Sequence, residues 1–420
     1  MYENYQKDTT FDVDGLKYKL FKYYDDDIRA EIIECKNYDA VIKIPGHVIY
    51  NDVEFPVTRI KKGAFQQKPL KTVIVSENVT IIEKRCFEDC SELEKVVLPD
   101  GLEYLGDNCF RNCKTLKSIN IPAKISAIES YCFYGCESLT KIVFPVKLSY
   151  LGTNCFSMCR SLRTVILPEE MKEMGCSCFD WCDKLETIKL PSTLTCIPSY
   201  AFNCCKALKS INIPGNVKKL DSGCFSGCEV LTEVKIPVNV EEIDVYAFHG
   251  CKSLQRVTIM NRDAKLMHDC FSECSSLTEI VFPINEMEID DICVDLCPML
   301  SEQTKRHIKI TEEGKKRAKE RTANGKIKRA RAKAWDYTTS AIVVLIAASI
   351  LLIVFFILGY TARLIVAIGV IALACFLVGL IIMLLLGLLV EIEHKFDWKY
   401  NCACIIIGAI ILGIIYLLGK

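Results

Sequence analysis

Cysteine is the residue type in this chain with the most obvious capacity for chemistry, and most of its copies fall into two files. Cys90, Cys113, Cys136, Cys159, Cys182, Cys205, Cys228, Cys251, Cys274 and Cys297 form the first. The second runs from Cys86 to Cys293, four residues before the members of the first, with alanine in its place at 201 and 247. Thiolates can hold zinc and thiols can pair as disulfides, so both chemistries have to be weighed. Against zinc, the C-x3-C spacing recurs again and again with no histidine partners. Against complete pairing, the chain has 25 cysteines, an odd number. If the files belong to stacked strands about 4.8 Å apart, neighbouring thiols would lie within reach of a disulfide. The simpler reading is a small, soft residue filling a tight interior column. We therefore expect free core thiols, which favours a reducing compartment.

The other chemistry-bearing residues form no constellation. The histidines His47, His249, His268, His307 and His394 are scattered. No glycine loop for phosphate, no HExxH and no Ser/His/Asp pattern stands in a sensible context. His249 reads as a surface residue in a polar turn rather than a base. The sequence thus predicts neither an enzyme nor a resident cofactor or metal.

What positions the cysteines is a repeat. Phenylalanine recurs at 87, 110, 133, 156, 179, 202, 225, 248 and 271, each 23 residues after the last. Phe65 precedes the series by 22 and Val294 continues it. A fixed period in this range is the signature of a solenoid. Within one unit, Leu116, Ile119 and Ile121 alternate with polar residues, which predicts a short strand with its apolar side inward. Pro122 closes that strand, and prolines recur at 99, 145, 168, 191, 214, 237 and 283. Ile125 and Ile128 form the next inward pair. The four-residue spacing of the two cysteine files predicts a short helical turn on the third side. A single coil cannot bury enough surface to stand, so stability must belong to the array.

The unit C/A-F-x-x-C-x-x-L-x-x-ϕ-x-ϕ-P resembles the BspA-type leucine-rich repeats over about residues 40 to 300, roughly ten units. Gly15-Leu16-Lys17-Tyr18 and Phe55-Pro56-Val57-Thr58-Arg59-Ile60 resemble that family's opening cap. The resemblance implies a curved solenoid with a strand in every coil, and a role among surface proteins that bind host or microbial partners. The N-terminal segment lacks an apolar signal region, which runs against an exterior location.

The expected fold is a leucine-rich-repeat solenoid followed by an all-α, three-helix transmembrane region. Residues 1–60 are expected to form an N-terminal cap of short strands, Phe11–Leu20 and Ala30–Cys35 among them, and a disguised first coil. Residues 61–300 form the solenoid, closed by a cap from Glu286 to Leu300. Outward strand positions vary between coils, as a partner-binding surface requires. Candidate contacts are Lys117, Ser118, Asn120, Lys141, Thr164, Thr187, Lys189, Ser210, Asn212, Glu233, Lys235, Arg256 and Thr258. Apolar residues also point outward at Val97, Val143, Ile166 and Val281. No aromatic or basic stripe runs down this face, which argues against nucleic acid.

Residues 301–340 read as a basic linker, with 13 Lys/Arg between Lys305 and Lys333, placed to meet anionic lipid headgroups. Three apolar runs follow at 341–359, 364–390 and 402–418, each of membrane length. Eight Lys/Arg flank one side of these runs and two flank the other. By the positive-inside rule the solenoid is expected in the cytoplasm. The runs carry no interior charge, so an anchor is favoured over a transport path. The function expected is a membrane-anchored, non-enzymatic scaffold that binds a protein partner. A cell-surface adhesin with the solenoid outside is the alternative.

Overall fold

A computed structural model describes residues 8–24, 27–37, 39–283, 287–289, 293–294 and 297–310. The chain divides into two compact units, Met1–Glu320 and Arg321–Lys420, and all described residues belong to the first. The three expected membrane runs and residues 311–340 of the basic linker lie outside the described residues.

The cap is antiparallel. β1 (Thr10–Val13) and β2 (Leu16–Tyr24) are joined by Asp14 and Gly15, with φ of 50° and 75°. Two left-handed residues make the tight hairpin that twisted strands prefer. The apolar run Phe11–Leu20 is therefore two strands folded on each other, with Val13 opposite Leu16. β3 (Asp27–Cys35) pairs with β2 and then, in parallel, with β6 (Val53–Ile60). β4 (Val41–Ile44) and β6 already occupy the two strand positions of a coil. Ile42 stands beside Val73, and Ile60 beside Ile82. The first coil is thus built into the cap; β5 (His47–Tyr50) runs antiparallel to β6, and β3, backed by β2, pairs along the edge that β6 would otherwise leave open.

The array makes about eleven turns, and every ladder within it is parallel and in register. On one side, Ser118–Asn120 pairs with Lys141–Val143, residue for residue at a separation of 23. A second ladder uses the pair Ala127–Ile128, then Tyr150–Leu151 and Glu173–Met174. These two-residue strands begin two residues past the proline turn, where the residue pattern predicts only an inward pair. One residue of each points out and the other is buried.

The third side is not a helical turn. Asn108, Asn112 and their counterparts in other coils have φ near +57°, so two tight turns follow each other. The N–H groups of Arg111 and Cys113 bond back to Asn108 and Phe110 in the same coil, at 3.2 and 3.2 Å. Those of Asn108, Phe110 and Asn112 donate to the carbonyls of Ser130, Cys132 and Tyr134 one coil on, at 3.0, 2.9 and 2.7 Å. Alternate donors therefore serve the turn and the stack, and buried backbone is satisfied on all three sides. The spacing of four misled because it is also the repeat of this paired turn.

A strand is also not present in every coil. Residues 208–214 carry no assigned strand, and the first ladder is broken there and between Val143 and Thr164. At the far end, Met287–Ile289 pairs with Ile308–Ile310, with the short helix Glu302–His307 between them. The ladder thus continues past Leu300.

The core is a set of columns. Ten phenylalanines from Phe65 to Phe271 are fully buried. They make nine consecutive stacks with centroids 5.2 to 5.7 Å apart, inside the favourable range for aromatic pairs. The 22 described cysteines are all free, and all but Cys176, Cys196 and Cys204 are buried. Gly152 marks how closely coils approach: a Cβ there would sit 2.4 Å from the backbone nitrogen of Ser130.

Candidate functional site

The buried thiols come first, because they are the densest reactive groups. Each thiol of the uninterrupted file points at the carbonyl of a phenylalanine one coil back. Cys113 Sγ donates to Phe87 O at 3.2 Å, Cys136 to Phe110 O at 3.2 Å and Cys182 to Phe156 O at 3.2 Å. The same carbonyls already accept the N–H of the cysteine three residues on, as Phe156 does from Cys159 at 3.1 Å. Both lone pairs of a buried carbonyl are thereby used. In the other file Cys86 Sγ donates to Lys61 O at 3.0 Å and Cys224 Sγ to Ala247 O at 4.0 Å, while Cys109, Cys132, Cys155 and Cys178 donate to no phenylalanine carbonyl; alanine stands at 201 and 247. Burial pushes these thiols up, Cys90 to about 12 and Cys109 and Cys155 well above the ordinary thiol value. A thiolate is the nucleophile and the metal ligand, so these groups are structural. Among the described residues no three His, Cys, Asp or Glu gather as a metal site would need.

One arrangement resembles an acyl-transfer triad. His249 Nδ1 lies 2.8 Å from Ser272 Oγ, and its Nε2 lies 3.9 Å from Glu273 Oε2. Ser272 Oγ, however, donates to Asp269 O at 3.0 Å, so Nδ1 must carry the proton and donate to Ser272. A base needs the opposite polarity. Ser272 is also buried at 5% exposure. The trio ties one coil to the next.

The strand face remains. All of the sequence-nominated contacts except Thr258, which is half-buried, are exposed along one side of the array. The register lines up Lys95, Ser118 and Lys141 in one column, and Asn120 and Val143 in the next. Thr164 and Thr187 continue the first column, and Ile166 and Lys189 the second. Glu233 with Arg256 and Lys235 with Thr258 complete the pattern. Ser210 and Asn212 lie in the coil without a strand.

Several of these side chains are already engaged across coils. Lys117 Nζ meets Glu94 at 3.0 Å, Lys189 meets Glu169 at 3.0 Å and Arg256 meets Glu279 at 3.2 Å. Thr187 Oγ1 bonds Thr164 Oγ1 at 3.3 Å. A backbone hydrogen bond from Ser192, then Lys189, holds the carboxyl of Glu169 below its ordinary value. Lys209, and then Arg163, do the same to Glu186. Two shallow depressions border the face, one lined by Glu103, Ala123, Lys124, Val146 and Lys147, the other by Arg163, Lys184, Glu186, Ala207, Lys209 and Val230.

The structure adds Lys95, Val146 and Lys147 to the face. Extending the outward columns by one period would have found Lys95; Val146 and Lys147 stand in the turn after Pro145, outside those columns.

A model of the BspA type leucine rich repeat region matches residues 58–186 and 172–301, together more than half of the chain. This chain belongs to the BspA-type leucine-rich repeat family. A leucine-rich repeat protein from Bacteroides ovatus superposes with a TM-score of 0.52 at 24% identity, covering 72% of this chain and 77% of that one. The pneumococcal vaccine antigen PcpA superposes at 0.52 with 16% identity, covering 74% and 93%. At these identities the likeness is one of fold. No catalytic family is indicated, and a comparison with curated proteins finds no match. A BspA-type array is compatible with protein binding, at a surface or elsewhere.

Proposed function

We propose that this BspA-type chain is a non-enzymatic scaffold that binds a protein through its strand face, tethered to a membrane by the runs 341–359, 364–390 and 402–418. One observation carries the binding reading. Val143, Ile166 and Val97 stand on strands of the face at 49%, 64% and 40% exposure among the described residues. Clustered exposed apolar residues rimmed by polar ones mark an interaction surface. The membrane reading rests on the length and apolarity of the three runs. The excess of Lys/Arg ahead of them supports a solenoid on the cytoplasmic side, with the linker against anionic headgroups.

Two measurements test this. A photo-crosslinking residue at Ser118 or Thr187 should give a discrete protein adduct in cells, while the same residue at Asn154 on the turn side should give none. Equal adducts from both sides would sink the strand-face reading. For topology, trypsin is applied to intact cells carrying an N-terminal epitope. The epitope should stay membrane-bound until the cells are opened. Shedding of the array from intact cells would place it outside and favour the adhesin reading.

A further inference from the structure

The strand face is not uniform along its length. In its N-terminal half, Lys43, Lys71, Lys95, Lys141 and Lys147 are exposed, and no carboxylate of the described residues comes within 4.0 Å of their ammonium groups. Toward the C-terminus the same columns neutralise themselves. Glu186 bridges Arg163 and Lys209 at 2.9 and 2.7 Å, and the pairs of Lys189 and Arg256 are given above. Glu233 stands beside Lys235 on one strand.

On the strands themselves, Val97, Val143 and Ile166 lie in this half; Val146, at 74% exposure, stands beside them in the turn after Pro145, as Val238 does farther on at 57%. Lysine on a strand often guards an open edge. Lys95–Val97 has neighbours on both sides, so edge protection does not explain Lys95 or Val97, whereas Lys43 and Lys141 stand on the two end strands of that sheet. Val97, Val143 and Ile166, in a column that only Asn120 interrupts, stand among uncompensated cations and fit a partner that brings apolar groups flanked by carboxylates.

The spacing selects the partner's conformation. Val97 to Ile166 spans three coils, about 14 Å at ~4.8 Å per strand. A helix with apolar residues at i, i+4, i+7 and i+11 covers about 16 Å in contacts some 5–6 Å apart, close to one per coil. An extended peptide presents a like-facing side chain only every ~6.6 Å and falls out of step by the second contact. We propose that this half of the face, built on Val97, Val143, Val146 and Ile166 among Lys95, Lys141 and Lys147, docks an acidic amphipathic helix of a protein partner. This rests on the strand-face reading above.

The test uses the full chain in a neutral detergent and fluorescent helical peptides of about sixteen residues. One carries leucine at i, i+4, i+7 and i+11 with flanking glutamates, and its control carries lysines instead. The glutamate peptide should bind about tenfold more tightly at low salt, with the advantage shrinking as salt rises. Val143→Asp with Ile166→Asp should abolish binding, and Lys95→Glu with Lys141→Glu should reverse the preference. All four positions are exposed, so unchanged circular dichroism is expected, and Asn154→Asp on the turn side should bind like the parent. Equal binding of both peptides, or indifference to the charge reversal, overturns the proposal. So does uptake by phosphatidylserine vesicles that depends on Lys95 and Lys141 but not on Val143, since that assigns the face to a lipid surface. Cross-links from the strand face in cells, without the peptide preference, sink the acidic helix alone. Loss of both removes the reading beneath it.

Discussion

Consider the phenylalanine column with one ring taken out. Phe→Leu keeps an apolar side chain of similar size while removing the aromatic faces. Phe156 stacks on Phe133 and Phe179 at 5.2 and 5.5 Å, and Phe179 also stacks on Phe202 at 5.7 Å. An aromatic pair contributes about 0.5–1.5 kcal/mol beyond area burial. Phe156→Leu removes two stacks and the edge contact with Phe144 at 5.7 Å, so about 1.5–4.5 kcal/mol. Phe110→Leu with Phe225→Leu removes four, because those rings share no neighbour. Phe156→Leu with Phe179→Leu removes only three, since the stack between them is lost once. The adjacent double variant should therefore fall short of the sum of its singles by about 0.5–1.5 kcal/mol, while the distant pair should add to within about 0.5 kcal/mol. Urea unfolding followed by Trp181 fluorescence, with Trp335 and Trp398 replaced by Phe, measures both. Coupling of equal size in the two pairs would refute nearest-neighbour stacking as the source of column energy, and so would none in the adjacent pair.

The two cysteine files should differ in the same assay. Cys182→Ala loses sulfur packing and the bond to Phe156 O, about 1–2 kcal/mol, whereas Cys178→Ala loses packing alone and should cost less; equal costs would remove the thiol–carbonyl bond from the account. Stability should also fall steeply in alkali. Burial raises the folded-state thiols, Cys90 to about 12, so their contribution is complete below the unfolded thiol value of ~8.5 and is lost as pH rises above it, by about 1.4 kcal/mol per pH unit for each thiol. A urea midpoint unchanged between pH 8 and 10 would contradict this.

The period was legible because one solution to burial is repeated: Phe179, Cys182, Leu185 and Ile188 recur as types and not merely as hydrophobicity. The parts that were not legible depend on backbone handedness or on long side chains. Asn108 and Asn112 favour left-handed turns, but Tyr131, Met158 and Trp181 occupy equivalent positions and conceal the signal. The hairpin at Asp14-Gly15 sits inside an apolar run that reads as one strand. Pairing of Lys117 with Glu94, and the lack of a partner for Lys95, follow from which coil supplies a carboxylate at a distance of 23. That is readable only once the columns are aligned. No physical reason is evident for the missing strand at 208–214.

The way coils touch has a genetic corollary. Each thiol of the uninterrupted file reaches one coil back, each ring of the column stacks only on its immediate neighbours, and each ladder bond spans a single step. Nothing in the array measures its total length. Unequal crossing-over within the gene could therefore add or delete a whole unit and leave every surviving column intact, provided the change respects the period and spares the cap. Lineages could lengthen or shorten the binding face by about 4.8 Å at a time, exploring partners by ruler rather than by residue.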